Sequence, residues 1–215
     1  MKLTKYGHAC FVVEEQGQKL IVDPGSLTPE FGDLDLNDVA GVVITHVHFD
    51  HYNTEHLAAI MARNPSAQIF GTAQVAQAVP TMPITAVKGG GAETVGPFTL
   101  NFFGEMHALV YNSLPQDQNV GVLINSKLYY PGDSFTVPGM PVEVLAAPVS
   151  GPWLKLRETL DFVKQVHPTQ TFFPTHDALL SEAGLRVVHG WLEKLNDQVT
   201  GNYHPLATGE SLEVQ

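Results

Sequence analysis

A short run of histidine and aspartate residues is the part of this sequence that points most directly to chemistry. Four potential metal ligands fall within six positions: His46, His48, Asp50 and His51. His46 and His48 are two residues apart, and alternate side chains of an extended loop point the same way, so both could bind one ion. Asp50 and His51 would turn into a following helix and could reach a second ion. Mixed imidazole and carboxylate ligands at fixed short spacing are typical of a metal site.

The elements on either side of this run would hold it in place. Residues 41–44 are continuously apolar, which predicts a strand buried on both faces. A helix is predicted from about Thr54, because apolar residues recur on one face at Leu57 and Ile60. The run would therefore lie on a loop between a buried strand and a helix. The alternative is a solvated histidine-rich loop, or an Asp50 that only caps the helix.

The rest of the chain repeats strand and helix patterns in two similar halves. Other strands are predicted at 3–6, 10–13, 20–22 and 68–70, and in the second half at 98–103, 120–124, 128–130, 142–146 and 171–173. Further helices are predicted at 73–78, 155–166 and 182–195. In each half a hairpin delivers an aspartate, Asp23 or Asp133, to a loop with glycine and proline. Strands followed by helices, twice, predict two sheets packed face to face with helices outside, in one domain over residues 1–215.

The composition narrows the class of protein. The 215 residues include 11 Lys plus Arg against 22 Asp plus Glu, a formal net charge of −11, which argues against nucleic acid as a partner. The single cysteine, Cys10, cannot form an internal disulfide. No stretch approaches the roughly 20 apolar residues of a membrane span. We therefore expect a cytoplasmic protein with a small-molecule substrate and no membrane span, and the sequence leaves its oligomeric state open.

The histidine run resembles the signature His-x-His-x-Asp-His of the metallo-β-lactamase superfamily. Three later positions, His107, Asp133 and His176, follow in the order that this superfamily uses. The opening, with Tyr6-Gly-His8-Ala and later Asp23-Pro-Gly, is similar to a bacterial branch that includes L-ascorbate-6-phosphate lactonase and relatives of the N-acylphosphatidylethanolamine phospholipase D. The resemblance spans nearly the whole chain. It implies an α/β fold, a four-layer αββα sandwich formed as a single domain from two similar halves.

The resemblance also implies a centre of two divalent metal ions with seven ligand positions. The first ion would be held by His46, His48 and His107, the second by Asp50, His51 and His176, and both would be bridged by Asp133. Imidazole and carboxylate ligands favour Zn(II), with Mn(II) or Fe(II) as alternatives. A hydroxide bridging the ions would attack a small-molecule lactone or phosphate ester, which makes the chain a metal-dependent hydrolase. Asp50, beside this nucleophile, or a second metal-bound water could serve as the general acid.

Two further residues are candidates for supporting this centre. A histidine that binds a metal usually donates its other ring N–H to a carboxylate or carbonyl, and Asp23 would end a strand near the site. The alternative is that Asp23 only shapes its turn. His8 could line the pocket, or it could be an ordinary residue at the edge of a strand.

The substrate pocket should form from loops on the metal face. The candidate loops are 109–118, 135–140 and 151–153, in which Tyr111 and Trp153 could stack on a ligand or shield it. Three basic residues could bind one substrate phosphate: Lys155, Arg157 and Arg186.

Two rival functions remain open at this point. A mononuclear iron dioxygenase acting on persulfides would use a similar first motif, but it would bind one iron, and Asp50, His51 and His176 would not all be ligands. A scaffold or binding subunit could keep the fold without activity. Such proteins usually lose ligands, and all seven expected residue types are present here.

Overall fold

The computed structural model describes residues 1–28, 31–112 and 114–215. Within that part of the chain, fourteen strands form two mixed sheets of seven strands each. The strands of the first sheet are β1 (Lys2–Lys5), β2 (Phe11–Glu15), β3 (Gln18–Val22), β4 (Val39–Ile44), β5 (Gln68–Gly71), β6 (Ile84–Ala86) and β14 (Ser211–Glu213). Those of the second are β7 (Ala92–Val95), β8 (Phe98–Phe103), β9 (Gly121–Ile124), β10 (Leu128–Tyr130), β11 (Val144–Pro148), β12 (Thr171–Thr175) and β13 (Asn202–Tyr203).

Four α-helices cover the outer faces of these sheets. They are α1 (Thr54–Arg63), α2 (Ala73–Ala78), α3 (Leu156–Val166) and α4 (Glu182–Leu192), and short 3₁₀ turns occur at Phe31–Asp33 and Glu193–Leu195. Asn53 is the N-cap residue of α1, because its side chain accepts hydrogen bonds from the backbone N–H groups of Glu55 and His56. None of the described helices is long and apolar enough to cross a membrane.

Successive side chains of a strand point to opposite faces of its sheet, and this alternation separates the layers of the fold. Val12, Ile21 and Val42 face the outer helices, where they pack with residues of α1 such as Leu57. Their neighbours in sequence, among them Val43, face the other sheet and join one central core. A third core lies between the second sheet and helices α3 and α4. The order is therefore helix, sheet, sheet, helix, and the predicted four-layer αββα sandwich is confirmed.

The two sheets share a construction that the sequence halves predicted. In the first, the antiparallel hairpin β2–β3 is followed by β4 and β5, both parallel to β3. In the second, the hairpin β9–β10 is followed by the parallel strands β11 and β12. Helix α1 connects β4 to β5 in the first half, and α3 connects β11 to β12 in the second. Asp23 and Asp133 therefore leave corresponding hairpins in the two halves.

The structure differs from the predicted elements mainly at short strands. The sequence patterns did not predict β6, β7, β13 and β14, which have two to four residues each. Too few alternating residues are present in such strands to give a pattern, and pairing with distant strands forms them. The last predicted helix, 182–195, is an α-helix only to Leu192 and continues as a 3₁₀ turn. The strand predicted at 142–146 lies two residues later, at Val144–Pro148.

Candidate metal centre

The predicted ligands lie where the strands of both sheets end. The run from His46 to His51 follows β4 of the first sheet directly. His107 follows β8, Asp133 follows β10, and His176 comes directly after β12, all in the second sheet. Because these ends meet at one edge of the sandwich, residues separated by up to 130 positions come together there.

The structure brings all seven predicted ligands together in two adjacent groups. The first group is His46, His48, His107 and Asp133, and the second is His8, Asp50, His51 and His176. Within each group, one nitrogen or carboxylate oxygen per residue lies within 4.8 Å of the others. His8 is the member of the second group that had no ligand role in the sequence interpretation.

Asp133 lies between the two groups. Its Oδ2 atom is 3.3 Å from His107 Nε2 in the first group and 3.0 Å from His176 Nε2 in the second. Its Oδ1 atom is 3.2 Å from His51 Nε2. The side chain is 3% exposed, so its charge is held by these neighbours and not by solvent. One carboxylate can therefore contact ions in both groups.

The outer nitrogens of four histidines are held by other protein groups. His51 Nδ1 donates to Asp23 Oδ2 over 2.7 Å, and His48 Nε2 donates to Asp117 Oδ2 over 2.9 Å. His46 Nδ1 faces the hydroxyl of Thr45 at 3.1 Å, and His107 Nδ1 donates to the carbonyl of Ala108. Each ring therefore directs its second nitrogen toward the interior of the site. Partners of this kind orient histidines that bind metals.

Several inward-facing atoms have no hydrogen-bond partner. His51 Nε2, His176 Nε2 and Asp133 Oδ1 are buried and unpaired, although His51 Nε2 and Asp133 Oδ1 lie only 3.2 Å apart. Buried polar atoms without partners are costly and uncommon in folded proteins. A divalent cation between them would satisfy all three, so the residues present fit a metal centre.

The charges in the site favour a bound cation. Burial lowers the pKa of His176, but the carboxylates of Asp133 and Asp50 outweigh burial and raise this pKa to about 9. His51 shows the same balance, and Asp133 and Asp23 hold its pKa well above the ordinary value. Burial raises the pKa of Asp133, yet the adjacent imidazoles of His51 and His176 hold it well below the usual range. Carboxylates therefore stabilise positive charge at His51 and His176, whereas burial lowers the pKa of His46 well below its ordinary value.

Asp23 holds the end of β4 and one ligand histidine together. Its Oδ1 accepts the backbone N–H of Thr45 over 2.8 Å, and its Oδ2 accepts the Thr45 hydroxyl and His51 Nδ1, each over 2.7 Å. The residue is fully buried. Of the two interpretations of Asp23, the geometry favours the one in which it orients His51, although its φ of 44° shows that it shapes a turn as well.

Replacing Asp23 with alanine is expected to weaken metal binding by about 10- to 100-fold, because outer partners of metal-binding histidines contribute that much. Competition with a chromogenic chelator would measure the affinity. Asp161→Ala is the matched control, since Asp161 is exposed on α3 and its ion-pair partner is the likewise exposed Arg157. Equal metal affinities of Asp23→Ala and the parent protein would show that Asp23 only shapes the turn in which it lies.

His8 orients Asp50 through one fixed tautomer. Its Nδ1 accepts the backbone N–H of Ala178 over 3.2 Å, so a neutral ring carries its proton on Nε2. That Nε2–H donates to Asp50 Oδ2 over 3.2 Å. Burial lowers the pKa of His8, which favours the neutral ring. A protonated Nε2 cannot bind a metal, and His8 is therefore better described as a partner of Asp50 than as a ligand.

A buried lysine, which the sequence interpretation did not single out, secures the segment that carries His176. Lys5 Nζ donates to the carbonyl of Pro174 over 2.9 Å and forms an ion pair with the Asp177 carboxylate. Its side chain is 2% exposed. His176 itself has a left-handed backbone with φ of 56°, and its N–H donates to the carbonyl of His8 over 2.7 Å. These contacts fix both sides of the second group.

Two polar residues that position ligands were also missed in the sequence. Asp117 holds His48, and burial raises its pKa, but hydrogen bonds from Gln74 and His48 outweigh burial and lower it. Asn119 is fully buried, and its Oδ1 accepts the backbone N–H of Asp133 over 3.0 Å. Neither residue has a motif around it. Thr45 is the one residue among these supporting groups whose sequence position could have indicated its role, because it directly precedes the histidine run.

A cavity of about 450 Å³ opens onto the two groups of ligands. Tyr111 and Trp153 both line it, as predicted. Trp153 has a second contact, because its indole N–H donates to Asp133 Oδ2 over 2.9 Å. The described residues of the loops 109–118 and 151–153 supply much of the wall, and Ser113 lies outside the described residues.

Two expectations about the pocket are wrong. No residue of the loop 135–140 is among those that line the cavity, because Phe135 packs beneath it against Trp153 and Phe162. The three basic residues proposed for a substrate phosphate do not line it either: Lys155, Arg157 and Arg186. All three are exposed, and the two arginines face carboxylates one turn away on their own helices.

Comparisons with known proteins place this arrangement in a family. The model of the β-lactamase superfamily domain matches residues 2–176. Protein Rv0786c of Mycobacterium tuberculosis is 30% identical over 200 residues, which cover 91% of this chain and 92% of the relative. A protein of Carboxydothermus hydrogenoformans named UPF0173 metal-dependent hydrolase is 25% identical over 189 residues, which cover 78% of this chain and 81% of the relative.

The fold is shared with a solved structure. The metallo hydrolase Igni18 of Ignicoccus hospitalis has a TM-score of 0.74 and 20% sequence identity, over 100% of this chain and 99% of that one. At this identity the likeness concerns the fold alone. The narrower resemblance to the branch with the lactonase and the phospholipase D relatives stays a prediction.

Proposed function

Because this chain belongs to the metallo-β-lactamase superfamily and is a metal-dependent hydrolase, we propose that it hydrolyses a small molecule at a centre of two divalent metal ions. The observation that carries the proposal is the orientation of the histidines. Four rings have one nitrogen held by a carboxylate, hydroxyl or carbonyl, and each directs the other into the site. Such an arrangement is the one expected of metal ligands.

We assign the ligands by their groups in the structure. The first ion would be held by His46, His48 and His107, the second by Asp50, His51 and His176, with Asp133 shared between them. When bound, two divalent cations lower the pKa of a shared water toward about 7 and polarise the electrophile. Zn(II) is the ion we prefer for this ligand set, and Mn(II) and Fe(II) suit it as well. Burial raises the pKa of the Cys10 thiol to about 12, so no thiolate competes for the ions.

The chain itself would position the reacting groups. Trp153 and the backbone N–H of Ala108, which donates to the carbonyl of Asp133 over 2.8 Å, fix Asp133 from two sides. Asp50 is 12% exposed and borders the cavity, so its carboxylate can take a proton from an attacking water and pass it to a leaving oxygen. His8 holds Asp50 in place for this transfer. Asp50 and Asp133 are therefore the carboxylates to which we assign catalytic roles.

The substrate would be a lactone or a phosphate ester. Either one presents an electrophilic centre bonded to an oxygen that leaves when water is added. A mononuclear iron dioxygenase is the rival, and it would leave Asp50, His51 and His176 partly without a ligand role. His51 and His176 both contact Asp133, and Asp50 contacts His176. These contacts favour two ions.

Metal analysis of protein purified without chelator tests the proposal. We expect about two divalent ions per chain, together with hydrolysis of at least one substrate in a panel of lactones, phosphodiesters and phosphomonoesters. His176→Ala should lose about one ion, since it removes one ligand of the second group. His204→Ala is the matched control, because His204 is exposed and outside both groups. One iron per chain with oxygen consumption and no hydrolysis would instead support the dioxygenase.

A further inference from the structure

We propose that the substrate is an uncharged carboxylic ester, of the lactone type, that carries an apolar chain, and that phosphate esters are poor substrates. This inference rests on the proposed hydrolase function and narrows it. Three features of the molecule carry it: the apolar wall of the cavity, the exposed apolar side chains at its mouth, and the lack of lysine and arginine in its described wall.

The wall of the cavity is apolar away from the ligands. Beyond the histidines and aspartates of the metal centre, it is formed mainly by aliphatic, aromatic and proline side chains, among them Leu27, Pro115 and Pro152. Its volume of about 450 Å³ falls within the range of about 300–1,000 Å³ that is usual for small-molecule sites. Such a wall gains free energy by burying the hydrocarbon part of a ligand.

The mouth of the cavity exposes large apolar side chains to solvent. Six of them line the cavity and are at least 40% exposed: Phe49, Leu109, Val110, Tyr111, Leu114 and Leu179. Phe49 and Tyr111 are about two-thirds exposed, at 66% and 65%. A contiguous exposed apolar patch beside a catalytic centre usually marks a binding surface. A hydrocarbon chain extending from the metal centre would cover it.

Lysine and arginine side chains are missing from the described wall of this site. No described residue that lines the cavity is Lys or Arg. The loops on this face come from stretches without any basic residue, namely 20–62, 89–126, 128–154 and 165–185. Asp50 and Asp117 add negative charge at the cavity. A phosphate ester would find no Lys or Arg donor of the kind that binds phosphate elsewhere, whereas a neutral ester requires none.

The reaction of such a substrate balances with water alone. The oxygen of one water forms a bond to the carbonyl carbon, and the acyl–oxygen bond of the ring breaks. One proton of the water passes to the leaving ring oxygen, which becomes a hydroxyl, and the other is released from the new carboxylic acid. The product is a hydroxy acid that has one negative charge at neutral pH. The described wall holds no Lys or Arg that would form an ion pair with this carboxylate.

A homologous series of γ-lactones that differ only in alkyl length tests this inference. With the metal-loaded protein, we expect kcat/KM to rise by about three- to fourfold for each added methylene until the cavity is filled, because burying one methylene contributes that factor. p-Nitrophenyl phosphate and bis(p-nitrophenyl) phosphate should be hydrolysed at least about tenfold less efficiently than the longer lactones, since no Lys or Arg in the described wall binds the phosphate.

A double variant and a control variant test whether the side chains at the cavity mouth, and not exposed apolar residues in general, cause the dependence on alkyl length. Leu109→Ser with Leu179→Ser should flatten the dependence on chain length, because both side chains would contact the alkyl group. Trp191→Ser is the matched control, since Trp191 is 46% exposed on α4 and does not line the cavity. The slope of the control should equal that of the parent protein. Circular dichroism of all variants would verify folding.

The outcomes distinguish this inference from the function on which it rests. Faster hydrolysis of the phosphate probes than of any lactone, or a flat response to alkyl length, would overturn the inference and leave the metal-dependent hydrolase intact. A protein with two bound ions that hydrolyses no probe in the panel would contradict the proposed function as well. A rising series that the double variant flattens and Trp191→Ser does not would support both.

Discussion

Replacing Asp133 with alanine is expected to lower kcat/KM by about a thousandfold or more and to remove at least one metal ion. The carboxylate lies between both groups of ligands, 3.2 Å from His51 Nε2 and 3.0 Å from His176 Nε2. Its loss would leave two buried imidazoles that its charge now stabilises. Metal ions supply several kcal/mol of charge stabilisation in transition states, and each 1.36 kcal/mol corresponds to about a factor of ten in rate.

Steady-state kinetics and metal analysis of the same preparations would measure this effect. Asp133→Asn separates charge from shape, because an amide oxygen can still accept the indole N–H of Trp153. We expect it to lose metal almost as strongly as the alanine variant. Asp161→Ala, on the exposed face of α3, should match the parent protein in both measurements. About two ions per chain in folded Asp133→Ala would contradict the bridging assignment.

Replacing Gly25 with alanine is expected to lower kcat/KM by about 100-fold, because misplacement of catalytic groups by about 1 Å can cost that much. A Cβ atom at Gly25 would lie 1.9 Å from the carbonyl oxygen of Asp50 and 2.6 Å from the backbone nitrogen of His51. Both atoms belong to the backbone of the ligand loop, so neither can rotate away. The loop is also tied here by Ser26, whose N–H donates to the carbonyl of Phe49 over 2.8 Å.

Gly190→Ala makes the same chemical change in open space and is the control for this prediction. Apart from the backbone of α4 itself, no atom of the described residues lies within 4 Å of a Cβ at Gly190, so activity should be unchanged there. Thermal unfolding and metal affinity of Gly25→Ala would show whether the loop shifts while the fold persists. Parental kcat/KM in a folded Gly25→Ala protein would mean that the chain relaxes without moving Asp50 or His51.

Local spacing in the sequence was sufficient to predict four of the seven ligands. These four lie on one loop after a buried strand, and both elements around the loop follow from apolar periodicity: His46, His48, Asp50 and His51. His107 and His176 have no such local signal, and only the resemblance of the whole chain indicated them. The structure brings these residues together because strand ends from both sheets meet at one edge.

The supporting contacts could not be predicted because they join distant parts of the chain. Asp117 and His48 are 69 positions apart, and Asn119 reaches Asp133 across a strand hairpin. For Lys155 the sequence predicted a contact that the structure lacks. This residue is close in sequence to the predicted pocket loops, but it is exposed to solvent at the start of α3. Pairing over such distances depends on how sheets and loops pack, and sequence periodicity describes only one element at a time.

The division of the ligands between the two sheets has a consequence for the folded chain as a whole. One half contributes the run from His46 to His51, and the other contributes His107, Asp133 and His176. Metal ions bound by ligands from both halves would act as a cross-link between the halves at the edge of the sandwich. Ligands that bind only the folded state stabilise it in proportion to the logarithm of their concentration. The concentration of free metal ions would then determine the stability of the folded protein as well as its activity.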